Sequence, residues 1–410
     1  MLNKKDSNMG SVSFITILIV VLALSQAGSI PERPTTVLWD VTLSRADIFR
    51  LLPSTLDNVI GPLNDNETVY YYNPGAPLAR LEGITFTPPL YGWGPQRSLS
   101  FLEVEPRQSY YCSVPLETLN EALVDSLRGL PERVDQAQTK GGLWLSSPGV
   151  TAAMHFDASD NWLSQLEGEK HVWLVNPRAW RLLHLYSALH PLARQSQAPF
   201  EGGPVALLGA ANGTFRDALA VGIEEVVLQA GQSLFIPAFH FHLISVPKQG
   251  GPSISINTYL DAPHKAILGA LHRRPPLSSK AILFDALTSV FNSLDMDLAD
   301  LGRAVLDTRW QHFALDPFLD GDFNSSFRMN TLGADNSLSC RDLRIDGTVD
   351  ESYADAAKQE AAVLLPSFLE LRSLLPDAFE LICADFLEAT TARSLGTENV
   401  WRFLSCVAVS

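Results

Sequence analysis

The sequence predicts a mainly β protein, a barrel or sandwich, followed by an all-helical C-terminal region. Three observations carry this. Between residues 142 and 262, seven segments rich in β-branched and aromatic residues recur at short spacing. Turn signals such as Glu167-Gly168-Glu169 and Gln249-Gly250-Gly251 separate them. Beyond Pro263 the pattern changes to helical spacing.

Taken in order, the chain opens with Lys4 and Lys5 before an apolar run from Phe14 to Leu24, closed by Ser25-Gln-Ala27. Eleven apolar residues suit a secretory signal and are short for a bilayer span, so residues 1–27 read as a signal peptide. An uncleaved signal anchor is the alternative, and the sole route to a membrane contact. A lead-in segment rich in Pro and Thr follows, and Ser44, Ile48, Leu51 and Leu52 give a short helix signal over 43–62. TVYYY, GITFTPP, SLSFLEVE and SYYCSV are β-rich pieces between 68 and 114, and Leu116, Leu119, Leu123 and Leu127 predict a helix over 115–129. GLWLSS, MHFDAS, WLSQLEG, KHVWLVN, EEVVLQAGQSLFIP, FHLISV and SISINTYL form the strand series, with an insertion at about 178–222. Helices are expected over 277–312, 353–374, 376–394 and 397–408, around a polar loop at about 316–352. The expected organisation is signal peptide 1–27, β domain with an N-terminal extension 28–262, and helical region 263–410.

With 410 residues, 46% of them apolar, the chain has material for one large core or two domains. A net charge of −15 without a basic block excludes nucleic acid as an expected partner. Three sequons, at Asn66, Asn212 and Asn324, permit glycosylation. The four cysteines, Cys112, Cys340, Cys383 and Cys406, form no CxxC pair, which disfavours a zinc cage. Pairing of Cys383 with Cys406 would clip two helices together; buried free thiols are the other reading.

Chemistry concentrates in four places. His155 and Asp157 are two apart, on one face of an extended strand, and a second imidazole arrives from the His240-Phe-His242 triplet. Two imidazoles and a carboxylate are the ligand set that holds non-heme Fe(II) with open coordination positions. Lys170 lies 15 residues after His155, and Asn257 lies 15 after His242. A cation beside such an iron suits a dicarboxylate co-substrate. His240 and His242 share a strand face, so either could ligate. His-x-His also opens a different metal motif, but Ser245 and Val246 stand where that one needs a glutamate. His171, His184 and His190 lack matched spacing and read as structural.

The runs HFDASDNWLSQLEGEKHVWLVNP, LFIPAFHFHLISV and SISINTYL resemble the JmjC/cupin-like family of Fe(II)- and 2-oxoglutarate-dependent oxygenases, and within it the hypoxia-inducible-factor asparaginyl hydroxylase type. The resemblance spans roughly residues 105–262 and hardly touches the helical tail. It implies a double-stranded β-helix (jelly-roll, cupin) core with the metal inside one mouth. It also implies His155, Asp157 and His242 as catalytic iron ligands, the family spacing after Pro237 selecting His242 over His240. Lys170 would pair with the distal carboxylate of 2-oxoglutarate, and O2 would take the last iron position. Asn161, Asn257 and Tyr111 (or Tyr110, one residue away in register) would line the co-substrate pocket. Thr151 matches a co-substrate threonine, although it stands one residue further from His155 than the family spacing. The implied function is a dioxygenase hydroxylating a protein or peptide side chain in the secretory pathway. The alternatives are a non-catalytic cupin-like binding module and a small-molecule oxygenase. The helical tail is expected to form either a homodimer interface or a cap over the barrel.

Overall fold

The computed structural model describes residues 33–38, 55–63, 68–82, 84–86, 93–97, 109–119, 140–197, 222–277, 280–310, 319–320 and 351–409. Eight strands between residues 140 and 259 make the core: β7 (Lys140–Ser146), β8 (Thr151–Phe156), β9 (Asn161–Glu167), β10 (Glu169–Val175), β11 (Glu224–Gln229), β12 (Gln232–Ile236), β13 (Phe241–Ser245) and β14 (Ser253–Tyr259). The N-terminal strands are β1 (Thr35–Leu38), β2 (Thr55–Leu63), β3 (Thr68–Val69), β4 (Thr85–Phe86), β5 (Trp93–Arg97) and β6 (Ser109–Pro115), and β15 (Leu319–Asp320) pairs with β4.

Two sheets face each other. One runs β1-β12-β9-β14-β7-β6-β2-β5 and the other β11-β10-β13-β8-β3. From β7 to β14 the chain passes back and forth between them, staying in one sheet only for the β10–β11 pair. The pairs are antiparallel except β3 with β8. This alternation is a jelly roll, so the core is a cupin-like barrel with helical additions. Gly168 turns β9 into β10 at φ +73°, and a Cβ there would lie 2.5 Å from the Pro252 carbonyl oxygen, so the predicted Glu167-Gly168-Glu169 turn needs its glycine.

Side-chain alternation sorts what enters the barrel. On β10, Lys170, Val172 and Leu174 are buried while His171 and Trp173 are half-buried on the other face. Leu163, Val172, Leu174, Leu228, Leu234 and Ile236 pack together inside. The outward side chains of β8 and β13, among them Met154, Phe156, Phe241 and Leu243, join a second core shared with the helices.

Those helices are α1 (Pro263–His272), α2 (Lys280–Ser293), α3 (Leu298–Val305), α4 (Glu351–Leu374), α5 (Phe379–Leu395) and α6 (Val400–Val407). Leu283, Leu287, Phe291, Phe368 and Phe386 belong to one continuous cluster with the outward side chains of the barrel. Asp297 caps α3 by accepting from Ala299 N and Asp300 N. A π-helical turn, Leu306–Trp310, then delivers Arg309, 1% exposed, to Glu388 of α5, which is fully buried. Glu388 also accepts from Trp310 Nε1 at 2.7 Å, Ser187 Oγ at 2.5 Å and Ala188 N at 3.1 Å. One carboxylate thereby ties α5, the π turn and the segment after β10 into a single buried knot.

Some expectations need correction. Residues 55–62, expected within a helix, form β2, because pairing with β5 and β6 on both flanks outweighs the weak local spacing. The helix expected from 115 begins as a 3-10 turn, Leu116–Thr118; residues 120–139 lie outside the described residues. Cys383 is free and buried while Cys406 is disulfide-bonded, so the Cys383–Cys406 clip does not form. Helix α1 was not foreseen; its Pro263 start had read as a boundary. The N-terminal apolar run, the three sequons and Cys340 lie outside the described residues. No described helix is long and apolar enough to cross a membrane.

The buried knot yields a stability prediction. Glu388→Ala leaves Arg309 with only the partly exposed Asp385, 2.8 Å away, and orphans the Trp310, Ser187 and Ala188 donors, so it should lower the unfolding free energy by up to about 3–5 kcal/mol. Urea denaturation of the two proteins side by side measures this; a loss within experimental error would show that the carboxylate is dispensable.

Candidate metal centre

His155 and His242 are direct cross-strand partners on β8 and β13. Their ring centroids are 4.2 Å apart. Asp157 follows β8 immediately, and its backbone carbonyl accepts from Phe239 N at 2.7 Å, which seats the loop before β13 against it. Phe239 has φ +65°, a left-handed conformation that a bulky residue adopts only under constraint. The donor atoms of His155, Asp157 and His242 all lie within 4.8 Å of one another. His242 Nε2 is 3.8 Å from Asp157 Oδ2.

Each imidazole is oriented by its other nitrogen. His155 Nδ1 donates to Ala153 O at 2.7 Å, and His242 Nδ1 donates to His240 O at 3.0 Å. Both rings therefore carry the proton on Nδ1 and present a bare Nε2 lone pair, the tautomer a metal ligand needs. Burial, then the facing His242 ring, pushes the His155 pKa down to about 3, so this ring is neutral at physiological pH. His242, not His240, stands in the cluster with His155 and Asp157. His240 precedes β13 and lines a separate cleft against the α4–α5 turn.

The three side chains open into a cavity of about 290 Å³. Deep in it, Lys170, 3% exposed, donates to Ser255 Oγ and has no ion pair among the described residues. Burial pushes its pKa down from 10.5 to about 7. Ser146 Oγ and Asn161 Oδ1, both in the cavity wall, have no hydrogen-bond partner among the described residues. Asn257 also lines the wall, but its Oδ1 is committed to Gly142 N at 2.9 Å and Trp144 Nε1 at 2.7 Å. Lys170, Asn161 and Asn257 are thus brought together with the three ligand candidates.

Two predicted residues stand apart. Thr151 is not among the described residues lining the cavity. The pairs His155↔His242 and Ala152↔Ile244 span three residues on β8 against two on β13, a β-bulge that reverses the alternation. Ala152 and Val150 line the wall in its place. Tyr111 lies on β6 with its backbone paired to Ser146; its side chain and that of Tyr110 are outside the described residues.

Sequence reasoning missed several wall residues. Tyr259 donates to Asp157 Oδ2 at 3.2 Å, and burial, with the Asp157 charge, raises the phenol pKa well above its usual value. It stands two residues after Asn257 on β14, and strand periodicity alone would have placed it on that face. Tyr71 packs on His155, ring centroids 5.4 Å apart. Its backbone is gripped by the Gln195 amide, which accepts from Tyr71 N at 2.8 Å and donates to Tyr71 O at 2.7 Å. Arg194, at φ +71°, lies exposed at the rim. Tyr71, Arg194 and Gln195 carried no legible pattern, because turns and isolated bridges, not a strand or helix period, bring them here.

Lys170 makes the stability of the fold sensitive to pH. Its folded pKa lies below the unfolded one, so the unfolded chain binds more proton between about 7 and 10.5, and folding stability rises with pH across that window. In anion-free buffer, the wild type should gain unfolding free energy between pH 7 and pH 9 relative to Lys170→Met, as read by urea midpoints. Parallel pH profiles for the two proteins would refute the buried, uncompensated ammonium.

Comparison with known proteins bears on the same region. A family model described as a cupin-like domain matches residues 104–266. Over 112 residues the chain is 31% identical to tRNA wybutosine-synthesizing protein 5 of Mus musculus, a stretch that covers 27% of this chain and 31% of that relative. The chain therefore matches less than a third of that protein's length. The X-ray structure of E. coli ycfD overlaps 58% of this chain and 53% of its own at 16% identity, with a TM-score of 0.32. The jelly-roll topology, the convergent His155, Asp157 and His242, and the match over residues 104–266 agree: this part of the chain is a cupin-like domain.

Proposed function

We propose that this protein is an Fe(II)- and 2-oxoglutarate-dependent dioxygenase that hydroxylates a side chain of a protein or peptide. The observation that carries the proposal is the pairing, within one cavity, of a two-histidine, one-carboxylate cluster with a deeply buried lysine that has no counter-charge among the described residues. An ammonium left alone in the interior is costly unless a ligand anion completes it.

The residues fit both groups. His155 and His242 would offer Nε2 and Asp157 a carboxylate oxygen to the iron. Lys170 would receive the far carboxylate of 2-oxoglutarate in a charge-assisted pair. Ser146 has a hydroxyl free to join it, and the Asn161 amide, rotated by half a turn, would turn its NH2 to the same anion. When bound, iron and 2-oxoglutarate supply the oxidising chemistry: O2 is consumed, the keto acid becomes succinate and carbon dioxide, and a substrate C–H becomes C–OH. The protein's own part is geometric. The Nδ1 bonds to Ala153 and His240 hold the imidazoles in place, and Tyr71 and Tyr259 wall the metal side from bulk water.

The cavity supports a substrate that enters as one side chain. At about 290 Å³ it falls just under the roughly 300–1,000 Å³ of sites for drug-sized ligands, which suits a small dicarboxylate plus one protruding group. The net charge of −15 weighs against a nucleic-acid substrate. The lysine-flanked apolar run at the N-terminus supports action in the secretory pathway.

Purified full-length protein supplied with Fe(II), ascorbate and 2-oxoglutarate should release succinate, and chelation should stop it. Asp157→Ala should reduce release to background. Absence of iron-dependent succinate release would overturn the proposal in favour of a binding module, and undiminished release by the variant would overturn the ligand assignment.

A further inference from the structure

We infer that Tyr259 is a positioning residue of the metal centre, setting the orientation of the Asp157 carboxylate and with it the affinity for the ion. The inference rests on the reading of His155, Asp157 and His242 as ligands of one metal. Tyr259 supplies the one hydrogen bond to this carboxylate among the described residues, 3.2 Å from its hydroxyl to Oδ2. Asp157 sits just beyond the end of β8, where no ladder partner fixes its side chain. A short carboxylate in that place rotates freely unless something outside its own strand holds it.

The hold on Tyr259 is built from the opposite sheet. It ends β14, paired on one side with Asn161 of β9 and on the other with Lys140 of β7. Asn257, two residues earlier on the same strand face, hydrogen-bonds the phenol and is itself pinned by Gly142 N and Trp144 Nε1. The chain of contacts thus runs from the β7–β14 ladder through Asn257 and Tyr259 to Asp157. The two imidazoles belong to the other sheet. Tyr259 is therefore the element that registers the carboxylate against the facing sheet, while the histidines are registered by β8 and β13.

A donor on one carboxylate oxygen leaves the other free and lowers the number of carboxylate orientations the ion must select from. Hydrogen-bond partners of metal ligands carry about 10–100-fold in metal affinity when removed. The test is a titration of metal-stripped full chain with Co(II), followed by calorimetry and by its visible absorption bands. Tyr259→Phe keeps the ring and deletes the donor. It should bind Co(II) about 10–100-fold more weakly than wild type, with altered band positions and an unchanged melting temperature of the metal-free protein. If Tyr259→Phe does not fold, Tyr259→Gln against Tyr259→Leu gives the same contrast, the glutamine keeping a donor and binding more tightly than the leucine. Equal affinity and identical bands in wild type and the donor-lacking variant would overturn the inference and leave the metal centre standing. Failure of the wild type itself to bind Co(II) would overturn both.

Discussion

The antiparallel pairing of β8 with β13 is the constraint on which the site depends. It sets His155 directly across from His242, and the inward face of that pair becomes the metal side of the cavity. Neither imidazole is placed by a loop. Each is backed by a backbone carbonyl two residues away in sequence, so the ladder fixes both the ring position and the protonated nitrogen. The outward faces of the same strands carry Met154, Phe156, Phe241 and Leu243 into the helical core. Rigidity of the metal side and adhesion of the helices are therefore two faces of one strand pair.

The cavity sets two electrostatic problems side by side. At one end, burial and a neighbouring ring keep the His155 imidazole neutral, which leaves its lone pair available. At the other, burial alone weakens the proton's hold on Lys170, which donates to the Ser255 hydroxyl.

Much of this was legible in the residues. The strand series from 142 to 262 and the helices after 277 follow from period and turn chemistry, and the structure reproduces them to within a few residues. The His155/Asp157 spacing and the distant His242 were readable because strands make sequence parity into spatial parity. The limits have the same origin. One extra residue in β8 inverts that parity, and Thr151 leaves the wall to Ala152. Residues 55–62 show helical spacing locally, but two flanking strands claim them. Tyr71 and Gln195 meet across 124 positions through side-chain to backbone bonds that no periodicity encodes.

The Glu388 carboxylate bears on how this chain can be divided. It serves Arg309 and Trp310 from the π turn and Ser187 and Ala188 from the segment that leaves β10. A cut between barrel and tail would deprive Ser187 and Ala188 of their buried acceptor and bare the greasy backs of β8 and β13 to solvent. The catalytic-looking half is thus not a detachable module. Any shortened form intended for crystallography or screening has to keep the segment through α5, or replace the apolar outer face with residues that tolerate water.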